Sequence, residues 1–233
     1  MSHVSKWASL KTLAARKAIH VAFVALLAVP FLVDVSAELY ISLLVVASGF
    51  IYSIQVRQPA AWVEFRRNVF KTFEDLFNRL EQLIPIERPE LRLQYQRALR
   101  QLEELIDMAE RDYEKRHGYL GVLMGGVGFL AALTLFGRQH LLASIVSMAV
   151  YDTVSAVVGT AVGGRKIGRI TVAGTLAGAL ANVVALMAAG YPPLAALAIT
   201  ALVVVADATS PEDNLTIPVA AAAGSYLSGL LPR

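Results

Sequence analysis

Apolar stretches and short polar punctuation alternate along this chain, with one long interruption. A basic segment, residues 1–17, precedes an apolar run from Ala18 to Val33 with Pro30 near its far end. A turn at Asp34 and Glu38 leads into a second run, Leu39 to Ile54. Both approach the roughly 20 residues that cross a bilayer as helix. Between 57 and 117 the period changes. Trp62, Phe65, Val69, Phe73, Leu76, Leu80 and Leu83 recur three or four apart, the face of an amphipathic helix. Pro85 and Pro89 break it, and a second such helix, Glu90 to Arg116, carries Leu91, Ala98, Leu102, Leu105 and Ala109 on one side. Apolar runs then resume at Tyr119–Phe136, Leu141–Val162, Val172–Ala189, Leu194–Ala206 and Ile217–Leu231. The pattern predicts an all-α polytopic membrane protein of about seven transmembrane helices. Its parts are 1–56 (two spans), 57–117 (a cytoplasmic helical hairpin) and 118–233 (a five-helix portion carrying the chemistry).

Composition strengthens this reading. Of 233 residues, 56% are hydrophobic and 17% charged, with mean hydropathy +0.57. Soluble domains carry about 25% charge. Disorder is excluded and an ordinary soluble enzyme disfavoured. There is no cysteine, so no disulfide, iron–sulfur cluster or Cys-based zinc site. The four histidines, His3, His20, His117 and His140, make no ligand pair at helical spacing. No cleavable signal peptide is expected, since Asp34-Val-Ser-Ala is a poor cleavage site and further spans follow.

Charge distribution sets an orientation. With the N-terminus cytoplasmic, 19 of the 21 basic residues fall on inside segments, leaving Arg138 and Arg233 outside. This positive-inside pattern predicts a multi-pass protein with its N-terminus and active site in the cytoplasm, in the plasma membrane if the source is prokaryotic. Segment 57–117 holds twelve basic and twelve acidic residues, so its charge is balanced. No nucleic-acid partner is expected. The glycines at 121, 125, 126 and 128 suit close helix contact within or between chains, which allows a homodimer.

That orientation gathers the chemistry on one side. Arg16, Lys17 and His20 open the first span. Tyr151-Asp152-Thr153 and Gly159, Gly163, Gly164, Arg165 and Lys166 close the fourth. Thr171, Gly174 and Thr175 open the fifth, and Asp207, Ser210, Glu212, Asp213, Asn214 and Thr216 join the last two. The outer segments are almost featureless. Asp152 is the most informative residue, because a carboxylate within an apolar run is costly unless paired or hydrated. The glycines at 159, 163 and 164 serve either helix packing or, with Arg165 and Lys166, a phosphate-cradling turn. Asp213 and Asn214 suit a helix N-cap. Asp152, Asp207 and Asp213 together are the candidate metal set, a chemistry suited to Mg²⁺ that also holds nucleotide phosphates.

Four blocks in this order resemble the CTP-dependent polyprenol kinases, a family that includes dolichol and phytol kinases and is related to CTP-using diacylglycerol kinases. They are Arg16-Lys17-x-x-His20; Asp152-Thr-Val-Ser155-Ala-x-x-Gly159-x-x-x-Gly163; Ala173-Gly174-Thr175-Leu176-Ala177-Gly178; and Ser210-Pro211-x-Asp213-Asn214-Leu215-Thr216-Ile217-Pro218. The resemblance runs from Arg16 to Pro218, leaving out the hairpin. It implies transfer of the CTP γ-phosphate to an isoprenoid alcohol, with Mg²⁺, at the cytoplasmic membrane face. Asp152, Asp213 and Lys17 would be catalytic. Arg16, His20, Gly163, Arg165, Lys166, Arg169, Thr171, Gly174, Thr175, Asn214 and Thr216 would bind nucleotide. The third block departs from the family's usual Lys-Ser/Thr-x-Glu-Gly-Thr/Ser: Ile170 and Ala173 replace the lysine and glutamate, and Arg169 lies one position before that lysine. At the fourth block Asp207 stands where an acidic residue, often Glu, is usual. The alternatives are a lipid cytidylyltransferase, a diacylglycerol kinase, a transporter built around Asp152, and a non-catalytic scaffold working through the hairpin.

Overall fold

The computed structural model describes residues 3–83, 89–109, 119–168 and 170–229. The described residues are nearly all helical, so the all-α class holds. The helices are α1 (His3–Leu27), α2 (Ala37–Arg57), α3 (Pro59–Leu83), α4 (Pro89–Ala109), α5 (Leu120–Phe136), α6 (Leu141–Val162), α7 (Val172–Ala188), α8 (Pro193–Thr209) and α9 (Asp213–Gly229). Short 3₁₀ turns at Val29–Phe31 and Arg138–His140 lead into α2 and α6. The chain divides into two compact units, Met1–Gly49 with Leu120–Arg233, and Phe50–Tyr119.

In the first unit, α6 is the central helix, packed against α1, α7 and α9. Its core includes Leu27, Ile41, Phe129, Met148, Tyr151, Leu186, Ile199 and Ile217. Ala37–Arg57 and the stretch Arg138–Val162 are long and apolar enough to cross a membrane; α5, α7 and α8 are apolar but shorter. The outward faces are apolar too. Leu39, Leu43, Val46 and Phe50 line one side of α2, and Leu176, Leu180 and Val184 one side of α7, all exposed at helical spacing. An apolar surface this continuous is unusual for a protein in water.

Several boundaries differ from the hydropathy reading, for local reasons. The basic segment before Ala18 is helical and continuous with the first apolar run, since nothing between His3 and Leu27 breaks a helix. The last helix begins at Asp213, four residues before the predicted span, so Asp213 and Asn214 lie in its first turn. The predicted end of that span, Leu231, lies outside the described residues, as do Pro85 and the stretch 110–116 of the predicted second amphipathic helix. One feature is not helical. Lys166–Ile167 and Ile170–Thr171 pair antiparallel, Lys166 with Thr171 and Ile167 with Ile170, with Gly168 at φ +61° following the first strand. The glycine permits the positive φ that such short hairpins require.

In the second unit, α3 and α4 are amphipathic, and Tyr95 Oη donates to the Phe73 carbonyl at 2.7 Å across the pair. Gln55 accepts from the Tyr119 amide at 2.9 Å, and Trp62 packs edge-on against Tyr119 with ring centroids 6.0 Å apart.

Candidate functional site

Lys17 and His20 lie one turn apart on α1, so both side chains face the same neighbour. That neighbour is Asp152 on α6. Lys17 Nζ donates to Asp152 Oδ2 at 2.5 Å, and His20 Nε2 lies 3.1 Å from the same oxygen and 3.2 Å from the Met148 carbonyl. The Asp152 side chain is 10% exposed and that of Lys17 14%. A carboxylate so placed in an apolar helix is costly without such partners. Residues 135 positions apart thus form one charged cluster.

The next residue along α6, Tyr151, points to a different neighbour. Tyr151 is wholly buried and its hydroxyl donates to Asp207 Oδ2 on α8 at 2.8 Å. Asp152 and Asp207 are thus linked through adjacent Tyr151, and Asp213 opens α9. They do not form a cage: among the described residues, no three His, Asp or Glu side chains gather closely enough to hold a metal. Asp152 is taken by Lys17 and His20, Asp207 accepts from Tyr151, and Asp213 Oδ1 accepts from the Asn214 amide at 2.9 Å. A magnesium cage of these three carboxylates does not fit the geometry.

The glycines divide into two kinds. Gly159, Gly174 and Gly178 are packing residues. A Cβ on Gly178 would stand 2.8 Å from the Ser155 Cβ and 3.0 Å from the Tyr151 carbonyl, and one on Gly174 would stand 2.9 Å from the Gly159 Cα. Ser155 and Gly159 on α6 thus meet Gly174 and Gly178 on α7, small residues four apart on both helices, which lets the backbones approach. Gly163 and Gly164 differ. They have φ +72° and +100° and open space around them. Gly163 ends α6 and begins an exposed connection through Arg165 and Lys166.

The remaining predicted nucleotide ligands have local roles. Thr171 caps α7, its Oγ1 accepting from the Gly174 amide at 3.3 Å. The Thr175 hydroxyl is buried with no hydrogen-bond partner among the described residues. Asn214 faces α5, where Gly121 and Gly125 leave room for it, and Gly128 lies against the Asn214 and Leu215 carbonyls. Pro218 has no N–H to offer the Asn214 carbonyl, which explains that close approach. Thr216 Oγ1 bonds the Glu212 carbonyl at 3.2 Å. Arg16 is half-buried on α1. Arg169 lies outside the described residues.

A groove of about 580 Å³ runs between α8 and α9, lined by Ala206, Thr209, Ser210, Leu215, Val219 and Ala223 among others. Its hydroxyl-bearing residues lie toward the Asp213 end of α9 and its alanines and valine further along.

Sequence reading missed a polar ladder beyond this cluster. Ser144 donates to the Pro218 carbonyl at 2.6 Å, and Asn182 Nδ2 to Thr200 at 2.9 Å, while Ser147 is wholly buried. At the far end of α6, His140 Nδ1 lies 2.9 Å from Ser225 Oγ, and Arg138 donates to the Pro30 carbonyl. The segments expected to be almost featureless therefore carry bonded polar side chains at the start of α6. Isolated polar residues within apolar runs were the available signal. Comparison with family models, curated proteins and solved structures finds no match.

Proposed function

We propose that the chain is a multi-pass membrane phosphotransferase that moves the γ-phosphate of CTP to the hydroxyl of an isoprenoid alcohol, as its likeness to the polyprenol kinases suggests. The observation that carries this reading is the Lys17–Asp152–His20 cluster. It unites the first and second blocks of the resemblance around one buried carboxylate, with Asp207 reached through the neighbouring Tyr151. In this reading α1, α2 and α5–α9 are the seven spans, the N-terminus is cytoplasmic and the cluster lies at the inner membrane boundary.

The chemistry asks little covalent help of the protein, mainly positioning and charge neutralisation. The alcohol oxygen attacks the γ-phosphorus, the bond from that phosphorus to the β–γ bridging oxygen breaks, and CDP leaves. Asp152 orients the alcohol hydroxyl and accepts its proton. Lys17 turns from Asp152 toward the phosphates as negative charge arrives, and Arg16, Arg165 and Lys166 add cationic charge nearby in sequence to both blocks. Mg²⁺ belongs with the nucleotide in this scheme, since the carboxylates make no cage. The α8–α9 groove, hydroxyl-lined at one end and apolar along its length, suits the alcohol's chain.

The test is label transfer from CTP by purified protein in detergent with Mg²⁺, a panel of prenols, diacylglycerol and prenyl phosphates. The γ-phosphate alone is expected to enter the lipid fraction, and only with a prenol. Entry of the α-phosphate alone would replace this reading with a cytidylyltransferase. Transfer to diacylglycerol and not to prenols would reassign the acceptor. Transfer of neither label would overturn the enzymatic reading.

A further inference from the structure

The interior between α6, α7, α8 and α9 holds polar groups that the proposed chemistry does not use. His140, Ser144, Ser147 and Tyr151 step by four, three and four residues, which places them on one face of α6. Ser144, Ser147 and Tyr151 are wholly buried. The stripe is joined to the other helices along its length. His140 Nδ1 lies 2.9 Å from Ser225 Oγ on α9, which donates to Tyr191 Oη at 3.5 Å. Ser144 donates to the Pro218 carbonyl, also on α9, and Tyr151 to Asp207 on α8. Asn182 on α7 donates to Thr200 on α8. The Tyr151 carbonyl lies against Gly178, and one turn further on each of these antiparallel helices stand Ser147 and Asn182. The polar groups thus follow the whole of α8, from Tyr191 just before its start to Asp207 two residues before its end.

Two observations set this stripe apart from polar side chains that merely hold helices together. Such side chains satisfy one another in pairs. Here Ser147 Oγ, Asn182 Oδ1 and Thr175 Oγ1 are buried with no hydrogen-bond partner among the described residues. Polar atoms in that position are what internal water bonds to. The stripe also ends in two groups able to take up and release a proton, His140 and Asp207. Its steps along α6 are about 5–6 Å, too long for a direct bond and within the span of one bridging water. We propose that a file of water threads this stripe and that the bundle conducts protons between His140 and Asp207. A proton enters at one end, passes by exchange of O–H bonds along waters and hydroxyls, and another leaves at the far end. Nothing is oxidised or reduced, and counter-ion flow balances the charge moved. Buried polar lines in apolar bundles serve as relays of this kind. The activity requires that the bundle cross a bilayer and is independent of the kinase reading, since Asp152 is turned to Lys17 and His20 on α1 and takes no part.

The test places the full-length protein in phosphatidylcholine vesicles that hold a pH-sensitive dye, with a K⁺ diffusion potential imposed by valinomycin. Proton entry is expected about tenfold faster than in protein-free vesicles. S147A and N182L each remove an unpartnered polar atom and should slow it by about fivefold. S147A is a small change in a buried serine, so the test survives if N182L fails to fold. L180A, on the outward face of α7, should keep the parent rate. Entry no faster than in protein-free vesicles would overturn the proposal, as would parent-like entry in S147A. Uptake of radioactive Na⁺ without proton entry would replace the proton path with a metal-ion site. Hydration is read separately by X-ray radiolysis, in which a water beside a side chain oxidises it. Tyr151 should be oxidised although wholly buried. Oxidation of exposed Tyr226 with none at Tyr151 would show a dry interior and overturn the proposal whatever the flux.

Discussion

Asp152 shows how a single residue can be informative in sequence while its partners are not. A lone carboxylate among Val, Ala and Tyr demands a counter-charge, and Arg16, Lys17 and His20 were visible at the head of another apolar run. That Lys17 and His20 both reach Oδ2 depends on how α1 docks on α6, which no local pattern encodes. D152N is expected to lower phosphate transfer by about 10²–10⁴-fold, the range of a lost acid–base group. It should also lower the melting temperature, because removing one partner of a buried pair costs about 3–5 kcal/mol at full burial. Combining D152N with K17M removes both charges, so thermal stability should recover toward that of the parent while transfer stays lost. Recovery of both would make the pair structural. Tyr151 separates positioning from catalysis. Y151F deprives buried Asp207 of a donor worth about 1–3 kcal/mol. A lower melting temperature with transfer within about tenfold of the parent is expected. A loss as deep as that of D152N would place the phenol among the reacting groups.

At the scale of elements, apolar periodicity located nearly every helix, because length and hydropathy are local properties. It misjudged the segments whose form depends on neighbours. The strand pairing at Lys166–Thr171 follows from positive-φ glycines in a connection too short for a helix, and the early start of α9 at Asp213 follows from its packing on the α5 glycines. The glycines of the second and third blocks were ambiguous between packing and phosphate binding, since both uses need a missing Cβ. Their surroundings decide it for Gly159, Gly174 and Gly178, which stand between α6 and α7. G178L must push the Ser155 and Tyr151 backbone away, an overpacking cost of about 1–3 kcal/mol. Thermal unfolding in detergent should shift down by several degrees, and transfer should fall with it because Tyr151 and Asp152 sit on the displaced turn. G164A meets no atom within 4 Å and strains only an exposed connection at φ +100°. Its melting shift should be clearly the smaller of the two. A larger shift for G164A would mean that this connection carries more of the fold than its open surroundings suggest.

The whole molecule turns on how α6 relates to the bilayer. Its chemistry changes along its length: Asp152 with Lys17 and His20 sits near its middle, and His140 with Ser225 and the Arg138–Pro30 bond at its start. Between them Ser144 and Ser147 are buried among helices, satisfied in the first case by the carbonyl before Val219. Polar groups turned inward beneath an outward apolar surface fit a membrane interior. Charge suggests a direction to test, with Arg165 and Lys166 beyond one end and Arg138 at the other: the positive-inside bias predicts the first end on the cytoplasmic side. Q139C and K166C, both at exposed positions in a chain without native cysteine, test this directly. In intact cells a membrane-impermeant maleimide should label Q139C, and should reach K166C only after the membrane is opened. Labelling of both before opening would mean that α6 does not cross. Labelling of K166C alone would invert the orientation and put the Asp152 cluster on the face away from the cytoplasm. Cytoplasmic CTP could not reach it there, so this one assay can defeat the kinase reading before any lipid is tested.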